Sequence, residues 1–296
     1  MDTKRIILEL LRKTHLKYFL VNFLSALIGI ETSIAASCII TNSYNCKCII
    51  CLVLFVITLL LLGKLNAYYI KLDKSIENSD YILQSFNDFG NRFKDSSHNL
   101  YEDISMARKT NVLSLSTWNK RIEYNFICNS LYNLIVKTAD KGNDFSVSII
   151  LKLFDSVDNL TKYLMISHRS KNGDIPKIFH TAVNENKASK YFYGKLFAKN
   201  SPTPAYLINK KEVDQNFYFE DNTSNSKNYS QYIGIPICCA GNKMNALLQI
   251  IGHNDSYISL DKDRLIEFVN KIVYVYANYA LYCEKVEKGL LIEPNE

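Results

Sequence analysis

The side chains best suited to chemistry are lysines interleaved with aromatic residues between residues 162 and 211. Ten basic residues stand there against two acidic ones, a net charge of +8, whereas residues 212–296 carry seven basic and twelve acidic residues, a net charge of −5. A basic wall of this kind attracts an anionic ligand or an anionic surface, and aromatic rings beside it can stack on nucleobases. The sequence therefore predicts a nucleotide or oligonucleotide site formed by Arg169, Lys171, Lys187, Lys190, Tyr193, Lys195, Lys199, Lys210 and Lys211.

The same residues also fit a blander interpretation. Lys195 and Lys199 share one face of a predicted helix at i,i+4, and Lys187 and Lys190 share another. A solvated lysine face above a buried aromatic stripe gives the same spacing in a lysine-rich sequence. Both interpretations stay open at the level of sequence.

No catalytic constellation is present in the sequence. It lacks a P-loop, a G-x-S-x-G elbow and an H-E-x-x-H motif, and its five histidines are dispersed. The eight cysteines have no disulfide-framework spacing. Cys46, Cys48 and Cys51 form a C-x-C-x-x-C cluster, which fits small residues at the top of a membrane helix better than a metal site, because no histidine or fourth cysteine lies nearby. We expect a non-enzyme without a metal or cofactor.

The first 70 residues predict a transmembrane hairpin. Helices are expected at about 18–40 and 48–70, each long enough to approach the ~30 Å hydrocarbon core at ~1.5 Å per residue. Five basic residues precede the first helix and three lie at or beyond the end of the second, whereas Lys47 alone lies in the loop between them. The positive-inside rule then places both termini in the cytoplasm of a bacterial inner membrane. A cleaved signal peptide is the alternative, but its apolar region would be overlong and would contain Glu31.

Glu31 suggests what the hairpin does. An acid near mid-bilayer is costly unless it is protonated, paired or facing water, so it marks a candidate pore. A stripe of small and polar residues lies nearly opposite it on the helix, and the candidate pore residues are Asn22, Ser25, Glu31 and Ser33. The alternative is a protonated glutamate that is hydrogen-bonded within a helical bundle.

Residues 71–117 predict a coiled-coil linker. Apolar or small residues recur at 3-4 spacing, which is the pattern of a seam between associating helices. We therefore expect a homo-oligomer. The predicted seam consists of Leu72, Ile76, Ser79, Leu83, Phe86, Gly90, Phe93, Ser97, Leu100, Ile104 and Ala107.

From about residue 118 to residue 296 the pattern is that of a soluble α+β domain. Strands are expected over 145–155, 160–168, 229–239 and 244–252, with helices over 187–199 and 260–286 and a helix capped by Thr117. The run from Tyr232 to Ile237, a turn, and the run from Ala246 to Ile251 resemble the paired central strands of GAF domains. The segment from Ile258 to Leu265 and the apolar-striped helix after it resemble the closing helix of that family. The cyclic-nucleotide motifs of phosphodiesterase GAF domains are not matched.

The predicted fold is thus a membrane α-helical hairpin, a coiled-coil linker and an α+β, GAF-like domain. GAF domains usually pass a signal onward, and after this one no further domain is expected, so the hairpin is the expected output. The layout is similar to that of two-helix membrane effectors of antiphage nucleotide-signalling systems of the Hailong type, in which a nucleotidyltransferase would act as a partner. The alternative is a membrane-anchored scaffold that recruits a cytoplasmic protein.

Overall fold

The computed structural model describes residues 46–110, 115–155, 159–173, 176–199, 202–217, 228–238 and 243–287. The chain divides into two compact units, Met1–Ser79 and Asp80–Glu296. The described part of the first unit is helical throughout and belongs to α1 (Cys46–Thr110). The predicted first membrane helix, with Asn22, Ser25, Glu31 and Ser33, lies outside the described residues.

The predicted second membrane helix falls within α1, so its helical state is confirmed. The helix does not end at residue 70, where the sequence predicted the junction between hairpin and linker. Within the described ranges, no helix is long and apolar enough to cross a membrane. The membrane hairpin stays a prediction from the sequence.

The second unit is built on a six-stranded antiparallel sheet in the order β3-β2-β1-β6-β5-β4. The sheet is antiparallel throughout and helices pack against it, which confirms the predicted α+β class. In chain order the elements after α1 are α2 (Lys120–Thr138), β1 (Phe145–Asp155), β2 (Leu160–Ser170), α3 (Lys177–His180), β3 (Val183–Asn184), α4 (Glu185–Ala188), α5 (Phe192–Phe197), β4 (Ala205–Leu207), α6 (Lys210–Asn216), β5 (Tyr229–Cys238), β6 (Met244–His253), α7 (Lys262–Phe268), a π-helical turn (Val269–Val273) and α8 (Tyr274–Glu287).

The sheet separates two apolar cores. Alternate residues of the central strands, such as Val147, Ile235 and Leu248, face α2, α8 and the 80–110 part of α1; we call this the long-helix face. Residues of the opposite parity, such as Met165 and Leu247, face α3 to α6, which form the short-helix face. Successive side chains of a strand point to opposite faces of the sheet. Both sets are apolar here because helices cover the sheet on both faces.

Two predicted helices differ from those observed. The predicted helix over 187–199 is two short helices, α4 and α5. They approach so closely that a Cβ built on Gly194 would lie 1.9 Å from the carbonyl oxygen of Ala188, so this approach depends on the glycine. Helix α2 is capped by Asn119, whose side chain accepts from the Arg121 N–H, and not by Thr117. The Thr117 N–H instead donates to Asp103 of α1.

Candidate ligand-binding face and helix-docking site

The short-helix face is filled by a cluster of aromatic rings. The Phe192 ring lies 5.0 Å from that of Tyr232, edge to face, and the Phe217 ring lies 5.1 Å from the same tyrosine. Farther along the sheet, the Phe197 ring packs 4.8 Å from that of Tyr163, which Tyr193 also contacts at 6.2 Å. These rings hold the short helices on the sheet, because each buries a large apolar surface.

A set of neutral polar side chains lies in the sheet beneath these rings. The Gln249 side-chain amide donates to the Ser148 hydroxyl at 2.8 Å, and the Tyr232 hydroxyl donates to the Gln249 carbonyl oxygen at 3.4 Å. Burial raises the pKa of Tyr232, and it raises the pKa of Tyr163 to about 12. Both phenols therefore stay protonated at neutral pH, so they act as hydrogen-bond donors and not as bases.

Most of the predicted ligand residues lie on this face but point to solvent. Lys195 and Lys199 are exposed on α5 and just beyond it, and Lys211 is exposed on α6. Lys210 forms an exposed i,i+4 ion pair with Asp214 at 3.4 Å. Lys187 and Lys190 are likewise exposed, whereas Tyr193 is half-buried and stacks on Tyr191 with ring centroids 5.5 Å apart. The cations form a basic rim above the aromatic cluster.

Arg169 and Lys171 do not belong to this rim. Arg169 is opposite Val147 in the β1–β2 register, so its side chain lies on the long-helix side of the sheet. Its guanidinium stands 5.5 Å from the centre of the Tyr132 ring of α2. The Lys171 ammonium donates to the Asn143 side chain at 2.8 Å. The predicted set is therefore divided between the two faces.

A second polar site, which the sequence did not predict, lies on the long-helix face. The Glu123 side chain of α2 is 1% exposed. Its Oε2 accepts from Arg92 Nε of α1 at 3.0 Å and from the Tyr279 hydroxyl of α8 at 2.7 Å, while Oε1 accepts from the Arg92 NH2 group. The hydrogen-bonded carboxylate raises the pKa of Arg92 above its usual value. One carboxylate thus joins three helices.

A second buried acid, on α1, accepts hydrogen bonds from the turn that precedes α2. Asp103, 2% exposed, accepts from the backbone N–H groups of Thr117 at 3.1 Å and Trp118 at 2.9 Å, and from the Ser116 hydroxyl at 3.0 Å. Burial works to raise the pKa of Asp103, but these hydrogen bonds together outweigh it and lower the pKa below its usual value. The Trp118 indole N–H donates to Ser96 of α1 at 2.8 Å.

A polar groove of about 200 Å³ lies between α1 and α2, where it is lined by residues of α1 that precede Arg92. The Lys137 ammonium at its rim stands 4.2 Å from the centre of the Tyr81 ring. The lining is mainly hydrogen-bonding side chains: Tyr81, Gln84, Ser85, Asp88, Ser130, Asn133, Leu134 and Lys137.

The sequence does contain a signal for the Glu123 site. The buried positions of α2 recur at 123, 124, 127, 128, 131, 132, 134 and 135, which is helical spacing. Glu123 is thus a charged residue in an apolar stripe, and such a residue needs a buried partner. Its partner Arg92 lies 31 positions away on another helix, so the sequence gives no indication of the pairing.

Comparisons with known proteins find similarity to solved structures alone. No family model matches the chain, and no curated protein matches it. Among solved structures, it is similar to the GAF domain of an Acinetobacter phosphoenolpyruvate-protein phosphotransferase, at 13% identity and a TM-score of 0.37, over 65% of this chain and 97% of that one. The corresponding Coxiella burnetii domain gives 13% and 0.38, over 66% and 97%. The GAF domain region of a Geobacter sulfurreducens protein gives 15% and 0.37, over 57% and 97%. These values assign no ligand or activity to this chain.

Proposed function

We propose that this chain is a non-catalytic, ligand-gated membrane effector. Its GAF-like domain would bind an anionic nucleotide or oligonucleotide, and α1 would carry the change to an oligomeric N-terminal hairpin that permeabilises the bacterial inner membrane in antiphage defence. The sheet domain and the long helix α1 are observed. The ligand class, the pore and the defence role rest on the sequence patterns.

The proposal rests on one observation, which is that α1 has residues in both units. The helix runs from Cys46 to Thr110, while the boundary between the units falls between Ser79 and Asp80. Residues of its second part, including Phe89, Arg92 and Ser96, contact α2 or α8 or the turn before α2. A change in how that part is held therefore reaches residues 46–79 through continuous backbone hydrogen bonds.

The basic rim supports an anionic ligand. Lys187, Lys190, Lys195, Lys199 and Lys211 are all exposed on or beside the short helices, where their charges raise the local concentration of an anion. The aromatic rings and the neutral amide and hydroxyl groups below them offer stacking and hydrogen bonding to a base.

The scaffold interpretation is the second candidate, and a specific observation favours it. The rings of Tyr163, Phe192, Phe197, Phe217 and Tyr232 fill space between the sheet and the short helices by direct contact. A domain packed in this way can present a stable surface to a cytoplasmic partner without opening for a ligand.

The ligand is tested by direct binding to the purified full-length chain in detergent. The probes are cyclic dinucleotides and short oligoadenylates, titrated at several salt concentrations. We expect the double variant Lys195→Glu/Lys199→Glu to bind more weakly, with a shallower salt dependence, because fewer phosphate charges are neutralised. The matched control is Lys262→Glu, an exposed lysine at the start of α7. Normal binding by the double variant would place the ligand elsewhere.

The output is tested in cells. The chain is expressed with and without a co-expressed nucleotidyltransferase, while a dye reports the membrane potential. Depolarisation that needs both proteins supports the effector. Binding of the nucleotide without any change in potential favours the scaffold.

A further inference from the structure

We propose that the Arg92–Glu123 ion pair is a latch that decides whether the 80–110 part of α1 stays docked on its own domain. The inference deepens the proposed function, since it rests on α1 being the relay. The relay would act by breaking this ion pair. Breaking it would uncover the surface on which α1 is docked.

The latch has an unusual position for an ion pair. Glu123 is 1% exposed, whereas the Arg92 side chain is 27% exposed at the outer edge of the same contact. Arg92 supplies the donors from α1 to both carboxylate oxygens, and Tyr279 supplies one from α8. When α1 leaves, Glu123 keeps only the tyrosine among these partners, while Arg92 can turn fully into water.

The Glu123 carboxylate therefore has favourable surroundings in two arrangements of α1. In the docked one the carboxylate is dry and paired, and in the undocked one it is hydrated because its cover has gone. The intermediate, a dry carboxylate without its guanidinium, is the costly state, since an unpaired buried charge is strongly unfavourable. An element with two acceptable states and a poor intermediate behaves as a switch and does not deform gradually.

The aromatic contacts on either side of the latch suit reversible docking. Phe89 packs edge to face on Tyr276 at 5.7 Å and on Tyr279 at 5.1 Å, and Phe93 lies 5.6 Å from Tyr282. These rings bury apolar area without interlocking through charge. Undocking would uncover an aromatic groove on α8 and would remove Ser96 from the indole of Trp118.

Trp118 makes the state of the latch measurable, because it is the single tryptophan of the chain and is 3% exposed where α1 meets the turn before α2. Its emission moves to longer wavelength when water reaches the indole. Hydrogen exchange of the backbone amides of residues 82–100 gives a second, independent measure of docking. Both are recorded on the full-length chain in detergent, without any ligand.

Three variants test the proposal. Arg92→Met leaves Glu123 dry and unpaired, so we expect a red-shifted emission and exchange at residues 82–100 that is about tenfold faster or more. Arg92→Met/Glu123→Met replaces the pair by apolar side chains, which is often neutral for a buried pair. Both readouts should therefore return toward those of the unmodified chain. Lys94→Met, an exposed residue of the same helix, should change neither.

Three results would overturn the latch. Unchanged exchange in Arg92→Met would show that the pair does not hold α1. Parallel acceleration of amides in β1 and β6 would show that α1 cannot leave without unfolding of the sheet. Failure of the double variant to restore docking would show that side-chain packing, and not the charge balance, is what matters. If the latch passes but a bound nucleotide changes neither readout, the proposed relay fails and the latch stands.

Discussion

Asp103 joins the end of α1 to the turn before α2 through hydrogen bonds from Ser116, Thr117 and Trp118. Because its pKa is lowered in the folded chain, the carboxylate stabilises the fold at pH values above its ordinary pKa of about 3.9. This stabilisation is lost as the pH falls through the lower, folded value. Acid conditions should therefore weaken the contact between α1 and the turn before α2.

We predict that Asp103→Asn lowers the free energy of unfolding at pH 7 by about 1–3 kcal/mol, since an amide offers one acceptor oxygen to donors that the carboxylate's two oxygens serve. The loss relative to the unmodified chain should shrink as the pH falls below the ordinary pKa of the carboxyl and through the lower, folded value, because the carboxylate itself becomes protonated. Urea unfolding across this pH range measures both effects. Asp80→Asn, at an exposed position of α1, serves as the control. A deficit that is the same at pH 3 and pH 7 would contradict this account of Asp103.

At the scale of elements, the 3-4 pattern of α1 marks residues that pack, but some of them pack on the helix's own domain. The 3-4 spacing was interpreted as a seam between copies. Leu100 is instead buried in the core of its own domain, and Phe86 and Ile104 pack against that core. Leu83 and Phe93 of the same seam remain 61% and 42% exposed. The predicted seam therefore covers two adjacent stripes of the helix, one that faces the core of the domain and one that is exposed.

The two stripes predict different consequences of substitution. Phe86→Ser should lower the free energy of unfolding by about 2–3 kcal/mol, because it removes packing against the core. Leu83→Ser should leave stability within about 0.5 kcal/mol, as expected for an exposed position away from buried contacts. If α1 also associates with a second copy, only Leu83→Ser should reduce the mass in detergent while leaving the fold intact.

Chemical denaturation and light scattering of the two single variants check this prediction. Equal destabilisation by both would mean that Leu83 is covered in solution. An unchanged mass for Leu83→Ser would show that this stripe is not an interface between copies. A triple change that includes Phe86 would confuse the two effects, because part of the loss would come from the fold.

At the scale of the whole molecule, the hairpin is the part on which the proposed output depends. Glu31→Leu removes a costly group from a predicted membrane helix, so insertion should be unchanged or improved. If the hairpin conducts, ion flux or selectivity should change at an equal protein level, since conductance depends on the side chains that face the lumen. If it only anchors, activity should survive.

A stricter version replaces residues 18–63 by an unrelated two-helix anchor. Full biological activity of that chimera would remove the channel from consideration and leave the scaffold. Reporter fusions after Ile70 should behave as cytoplasmic in the unmodified chain. Periplasmic activity at that point would overturn the predicted topology, and the function that depends on it.

Much of the α+β domain could be predicted from local sequence patterns. The strands predicted over 145–155, 229–239 and 244–252 correspond to β1, β5 and β6 within a residue at each end, and the closing helix predicted over 260–286 is observed from Lys262 to Glu287 with a π-helical turn inside it. These elements were predictable because alternation and helical spacing are local consequences of which face is buried. The basic rim was predictable for the same reason, since lysines and aromatic rings alternate within short segments.

Which surfaces cover those faces depends on the tertiary structure. It placed Arg169 on the opposite side of the sheet from Lys195, and it paired Glu123 with Arg92. It also packed Phe86 on its own domain instead of leaving it in a seam between copies. Each of these outcomes depends on residues far apart in the chain, and a pattern within one segment carries no information on which distant surface will cover it. Burial of a charge is likewise a property of the assembled layers, because a carboxylate needs its partner only when packing has removed water from both.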